Sequence, residues 1–263
     1  MSYQEESQLT GADYGEVVHV TPAAGLPEVV VVCEHASNRV PAALADLGVD
    51  ACVLESHVAW DPGALPVAQH LAAALDAPLV SGGISRLVYD CNRPPEAPSA
   101  IPARSEVHDI PGNRDLSAEA RQLRVSAVYE PFRRTLAEVI ASNAQTLRLM
   151  VTVHSFTPVF HGAPRAVELG VLHGSDTRFA RAMMVSAAPD AAYVIRLNEP
   201  YSAADGVAHT LDLQGSANGL LNVMIEVRND LIRTEDQQAT IAAFLADWIA
   251  RTRTALAEEG VAA

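Results

Sequence analysis

A chain of 263 residues that is 49% hydrophobic and 19% charged has enough apolar material for a sizeable globular core. Its formal net charge of −14 comes with no local basic patch, the densest pair being Arg133-Arg134, which argues against a nucleic-acid backbone as partner. No uncharged apolar run reaches the roughly 18 residues needed to span a membrane. The opening MSYQEESQLT lacks the apolar segment of a signal peptide, so a cytoplasmic protein is expected. Cys33, Cys52 and Cys91 show no CxxC spacing and read as reduced, buried small hydrophobes.

Residues 1–20 read as a loosely held arm, with Pro22 and Pro27 delaying the first strand. Val29 to Cys33 is continuously apolar and β-branched and stops at Glu34-His35, the pattern of a strand buried on both faces. A helix-like piece over 41–47 follows. Leu65, Ala68, Leu71, Ala72 and Leu75 have helical spacing, with Asp61 before Pro62 placed as an N-cap. Residues 78–81 and 86–90 read as short strands. Residues 91–115, rich in Pro, Ser and Asn, form an aperiodic loop of the length that lids and binding loops have.

A helix is expected from Asp115 or Ser117 to about Asn143, kinked or divided at Pro131. A second strongly apolar strand, 148–153, ends in His154-Ser155. Strands over 167–172 and 193–197 flank a helix over 177–186, and 222–227 is a strand carrying Glu226 and ending in Arg228. Thr234 to Gln237 has the form of a capping box, followed by the helical stripe Ile241, Phe244, Leu245, Trp248 and Ile249. Strands alternating with helices, without repeats or linkers, predict one α/β domain: three layers, a mostly parallel or mixed central sheet and helices on both faces.

Three buried strands thus end in His35, His154 and Glu226-Val-Arg228. In an open α/β sheet the strand C-termini lie along one edge, where ligands bind. Two imidazoles and a carboxylate suit a catalytic zinc, and a nearby carboxylate suits proton transfer. Taken singly, each histidine reads as a satisfied structural residue; the coincidence of three strand ends is what brings in the metal reading. Arg86 and Asn92-Arg93 suit a substrate carboxylate, or else Asp90 and Arg93 pair to fix a loop.

His35-Ala-Ser37, Trp60-Asp-Pro-Gly63, Ser85-Arg-Leu-Val-Tyr-Asp-Cys-Asn-Arg-Pro94, His154-Ser155 and Ile225-Glu-Val-Arg-Asn-Asp230 occur in this order. Over about residues 28–235 the chain resembles the N-formylglutamate amidohydrolases, whose architecture is similar to that of the zinc carboxypeptidases. The resemblance implies a zinc at strand C-termini, with His35 and His154 as ligands, Glu226 as general base and acid, and Asn92-Arg93 on a substrate carboxylate. The carboxypeptidase pattern His-x-x-Glu would place Glu at position 38, where this chain has Asn38. An oxygen ligand is therefore expected from Asp61, which follows Trp60 in a family-like motif, with Glu34 and His57 as alternates and the N-cap role of Asp61 still open.

Arg86, from its cluster with Asn92-Arg93, is expected to contact substrate, and Arg228, two residues past Glu226 on the same strand face, to support the substrate or the base. His209 either bonds the substrate or its tetrahedral intermediate or is structural. His161 and His173 read as structural, and His19, His70 and His108 as surface or loop residues. The 95–114 loop is expected to close over the site. His-Ala-Ser stands where better-known members have His-Ser-Gly, which leaves the acyl group open. The expectation is a zinc-dependent amidohydrolase of a small-molecule N-acyl amino acid such as N-formyl-L-glutamate. The alternatives are another N-acyl amino acid, a short peptide, or a non-catalytic carboxylate-binding relative. Oligomeric state is not legible in the sequence.

Overall fold

The computed structural model describes residues 9–186, 192–258 and 260. Seven strands form the central sheet: β1 (Val18–Thr21), β2 (Val29–Cys33), β3 (Leu79–Gly82), β4 (Leu149–Phe156), β5 (Leu169–Leu172), β6 (Ile195–Leu197) and β7 (Leu221–Arg228). Their order is β1-β3-β2-β4-β7-β5-β6. Neighbours are parallel except at β1/β3 and β7/β5. The strands expected to carry chemistry, β2, β4 and β7, therefore lie side by side in the middle and point the same way.

Alternation of side chains gives β2 two buried faces. Val30 and Val32 join one core with Met150, Met224, Phe132 and Leu136. Val29 and Val31 join the other with Leu71, Phe179, Leu245 and Trp248. The second face is covered by α1 (Ala64–Ala74), α4 (Arg178–Ser186) and α5 (Glu235–Glu258), and the first by α2 (Ala118–Arg124) and α3 (Glu130–Ser142). This is the three-layer α/β arrangement. On α5 the Thr234 cap and the Ile241-Leu245-Trp248-Ile249 stripe are as expected, and the Trp248 indole N–H donates to the carbonyl of Met183 (2.9 Å). Among the described residues no helix is long and apolar enough to cross a membrane.

Several local expectations are corrected. Val18–Thr21, inside the supposed loose arm, is an edge strand paired antiparallel with β3; the arm's first eight residues lie outside the described residues. The 86–90 run is a turn, not a strand: it is apolar because it is buried, but the N–H groups of Val88 and Tyr89 bond back to the carbonyl of Ser85. The 41–47 piece is a 3₁₀ segment broken by left-handed residues at Ala45, Asp46 and Leu47. The long helix is divided just ahead of Pro131, by a π turn over Val125–Tyr129. Proline has no N–H for the preceding turn, and a wider turn accommodates that loss. Cys52 is exposed, whereas Cys33 and Cys91 are buried, and all three are free thiols.

The 91–115 loop is held in place rather than loose. A small ribbon pairs Arg104–Ser105 with His108–Asp109. The buried Arg124 of α2 donates to Asn113 Oδ1 (2.6 Å), to the Gly112 carbonyl (3.2 Å) and to the Val88 carbonyl (3.3 Å), tying the loop to the helix beneath it.

Candidate metal centre and active site

The end of β2 organises the centre. Directly after Cys33 the chain turns, and the carbonyl of His35 accepts from the N–H of Asp61 (3.0 Å). The Ala59 carbonyl in turn accepts from the N–H of Arg86 (3.1 Å) and from Ser85 Oγ (2.8 Å). Three stretches distant in sequence are thus laced together by backbone bonds, and each presents one polar side chain to the same spot. His154 comes from the adjacent β4 and faces Glu226 of β7 directly in the ladder.

Asp61 does not cap α1. Gly63 occupies the cap position, in a left-handed conformation. Its ideal Cβ would lie 2.5 Å from the carbonyl oxygen of Ile232, so a side chain is excluded there on both counts. The Asp61 carboxylate turns inward: Oδ2 lies 2.9 Å from His154 Nδ1 and 3.2 Å from His35 Nδ1, and these two nitrogens are 3.2 Å apart. The other imidazole nitrogens face carboxylates too. His35 Nε2 is 2.7 Å from Asp90 Oδ1, and His154 Nε2 is 3.1 Å from Glu34 Oε2. Arg86 spans the back, donating to Asp61 Oδ1 (3.2 Å) and Asp90 Oδ2 (2.8 Å). All of these except Arg86 are buried.

This pattern tests whether a metal fits. With each Nε2 turned to a carboxylate, both Nδ1 atoms and the Asp61 oxygen converge as three acceptors in a buried space. Three acceptors at that separation require positive charge between them, either a divalent ion or protons on the imidazoles. Carboxylates behind histidine ligands are also the usual outer support of a metal site. His35, Asp61 and His154 therefore fit a cation. Asn38 stands apart, donating to the Leu54 carbonyl (3.0 Å), and His57 pairs with Glu106 (2.8 Å). Glu34 stands behind His154.

Electrostatics follows the contacts. Burial opposes the imidazolium of His154, but Glu34 and Asp61 outweigh it and hold its pKa well above the usual value; His35 is raised likewise, by Asp90 and Asp61. Burial disfavours ionised Asp61 and Asp90, yet the histidines and Arg86 draw both below the carboxylate range. Glu226 is the exception. Burial dominates, no cation sits on it, and its pKa is pushed up to about 7. Its Oε2 finds no hydrogen-bond partner among the described residues.

A cavity of about 910 Å³ opens over this cluster, lined among others by His35, Asp61, Arg86, Asn92, Arg93, His154, Arg165, Tyr201 and Glu226, with Arg104 and Glu106 of the long loop at its side. Of the expected substrate contacts, Arg86 has both ends on aspartates. Asn92 is engaged by backbone, its amide donating to the Val207 carbonyl (2.6 Å) and accepting from the Thr210 N–H (3.0 Å). Asp90 does not pair with Arg93, whose Nη1 instead donates to the carbonyls of Asn92 (2.9 Å) and Gly206 (2.8 Å). His209 is outside the cavity lining, 2.8 Å from the Tyr129 hydroxyl. Arg228 is outside it as well, held by Glu168 and Asp230. His173 is locked between Asn198 and the Gly174 carbonyl, and His161 is exposed in a tight turn. Arg165 also lines the cavity, and nothing in its sequence spacing marks it.

Comparison with known proteins gives the fold and the family. A gene product of Agrobacterium tumefaciens, known from its crystal structure, is 50% identical, with 94% of this chain and 98% of that one covered and a TM-score of 0.90. The N-formylglutamate amidohydrolase of Ralstonia eutropha JMP134 shares the fold at 15% identity, with 89% and 98% covered and a TM-score of 0.61. A search of the curated proteins finds no match. The sequence profile of the N-formylglutamate amidohydrolases matches residues 27–233, from the strand before His35 to the turn after Glu226, and the chain belongs to that family.

Proposed function

We propose that the protein is a zinc-dependent amidohydrolase that cleaves an N-acyl amino acid, N-formyl-L-glutamate being the reference substrate, to the free amino acid and a carboxylate. The observation that carries this reading is the convergence of His35, His154 and Asp61 beside the buried carboxyl group of Glu226, whose Oε2 has no hydrogen-bond partner among the described residues. A divalent ion held by His35, His154 and Asp61 would supply the Lewis acidity that polarises the amide carbonyl and acidifies a water. Glu226 takes the proton of the attacking water and returns it to the leaving amine nitrogen. A buried carboxyl, whose proton affinity desolvation raises, suits both directions of that transfer. Asp90 and Glu34 keep the imidazoles oriented, and Arg86 fixes Asp61 and Asp90. Asn92 shapes the wall next to Arg93, and the Arg93 guanidinium binds the α-carboxylate.

The test joins metal content to one substitution. Elemental analysis is expected to find about one zinc per chain, and Glu226→Gln to lose about 10²- to 10⁴-fold in kcat with that zinc retained. A metal-free protein of full activity, or an unimpaired Glu226→Gln enzyme, overturns the mechanism. A second reading keeps the machinery and enlarges the acyl group or the amine, to another N-acyl amino acid or a short peptide. It is favoured by the cavity, whose 910 Å³ lies in the range of pockets for drug-sized ligands and far exceeds a formyl group. A panel of N-formyl, N-acetyl and dipeptide substrates separates the two.

A further inference from the structure

Asp90 is backed by a buried polar assembly that lies outside the metal cluster. Its carboxylate faces His35 Nε2 through Oδ1 and Arg86 through Oδ2, and Oδ1 also accepts from the Asn92 N–H (3.0 Å). The Asp90 backbone N–H donates to the Ala100 carbonyl (2.8 Å). Two segments therefore place Asp90: the 85–90 turn and the stretch of the long loop around Ala100. A single side chain joins them. Asn113 Nδ2 donates to the Leu87 carbonyl (2.7 Å) in the turn and to the Pro102 carbonyl (2.8 Å) in the loop. Asn113 Oδ1 accepts from Arg124 Nη1 (2.6 Å), and the same Nη1 reaches the Val88 carbonyl (3.3 Å).

We propose that Asn113 and Arg124 are positioning residues of the metal centre. By gripping both supports of Asp90 they set how that carboxylate backs His35, and so how tightly an ion is held. The proposal rests on the metal centre of the reading above and adds a layer behind its carboxylates.

Asn113 and Arg124 are 3% and 0% exposed, so a bond lost between them and the turn is not replaced by bulk water. The guanidinium also decides which way the amide faces. Flipped, the amide nitrogen would meet the Arg124 donors, and the Leu87 and Pro102 carbonyls would meet an oxygen. The Pro111–Asn113 turn is seated in its turn on the 42–48 segment, where an ideal Cβ on Gly112 would lie 2.8 Å from Leu47 Cα. Arg124 holds that turn from the other side, through the Gly112 carbonyl (3.2 Å). Position thus passes through groups of fixed orientation, from α2 to Leu87, to Asp90 and on to His35. A shift of Asp90 stretches a charge-assisted contact of 2.7 Å on His35 Nε2, the nitrogen opposite the one turned to the cluster. Arg86, in the same turn, carries the shift to Asp61.

The experiment measures zinc affinity of the full chain by competitive chelation, in a double-mutant cycle between positions 113 and 90. Asn113→Asp keeps the size of the side chain and the oxygen that Arg124 holds, and removes both N–H donors. It is expected to weaken zinc about 2- to 30-fold, the range for residues that act through a neighbour. In an Asp90→Ala background the same substitution is expected to cost less than about twofold, because the carboxylate it positions is gone. Arg124→Lys, with a point charge in place of the planar fork, is expected to show a loss that likewise vanishes without Asp90. Equal losses with and without Asp90, or variants that bind zinc as the wild type does, overturn the proposal. A wild-type protein that takes up no divalent ion removes the metal centre and this inference with it. Zinc uptake with the expected cycle, but no hydrolysis of any N-acyl amino acid, leaves the positioning pair standing and removes the amidohydrolase reading alone.

Discussion

Each imidazole of the centre has one nitrogen facing inward and one facing a carboxylate, so an ion held there would depend on the carboxylates behind the imidazoles as well as on its own ligands. Asp90→Ala removes the partner of His35 Nε2 and one anchor of Arg86, and is expected to weaken metal binding about 10- to 100-fold in competitive chelation. Glu226 permits a pH test in the metal-free protein. Its pKa is raised above the unfolded value, so the folded state holds the proton more tightly, and stability from this group falls as pH rises from about 4.5 through 7. Glu226→Gln is therefore expected to raise Tm relative to wild type above pH 7, with the difference vanishing in acid. His35, His154 and Glu226 were legible because buried strands announce themselves as apolar runs and a polar residue there demands a reason. Glu34 is read from the sequence as an alternate ligand and Asp90 as a partner of Arg93, whereas both stand behind the imidazoles, since which carboxylate backs which imidazole depends on loops crossing over one another. Arg165 gave no signal at all: its surroundings come from three separate segments.

At the level of elements, long apolar strands and the capped final helix were read correctly, because burial on both faces and a 3.6-residue stripe are local patterns. The edge strand Val18–Thr21 is missed because it is only four residues long and all but Val18 are exposed, which leaves too short an alternation to stand out. The 86–90 run was misread for the converse reason: burial made it apolar, while its backbone bonds close a turn. Contact between elements adds a constraint that composition hides. Gly170 of β5 lies opposite Glu226 in the ladder, and an ideal Cβ there would sit 2.2 Å from the Glu199 carbonyl oxygen and 3.1 Å from the Glu226 Cβ. On the amidohydrolase reading proposed above, Gly170→Ala is expected to cost about 1–3 kcal/mol in urea unfolding and to lower kcat while zinc content is kept, because it would displace Glu226 rather than His35, Asp61 or His154. Retained stability and activity in that variant would show that β5 can shift freely.

For the whole molecule, the centre joins the middle of the sheet to the loop after β2 and the turn after β3, so an ion bound there would be coupled to global stability. Removing metal by chelation is expected to lower Tm, and restoring free zinc to 100 times its Kd to return about 2.7 kcal/mol. An unchanged Tm would mean that no ion binds the folded state preferentially. The Arg86 clamp carries this coupling further. Glu34, Asp61 and Asp90 are all held ionised by their partners, and Arg86 cancels one of the three charges. A residual charge of two is left in a buried place, and electroneutrality can be met by two protons, on His35 and His154, or by one divalent ion. Occupancy then becomes an exchange of one ion for two protons. Below the pKa values of the two imidazoles, apparent metal affinity should rise about 100-fold per pH unit, and titrations in buffers of different ionisation enthalpy should count two protons released for each ion taken up.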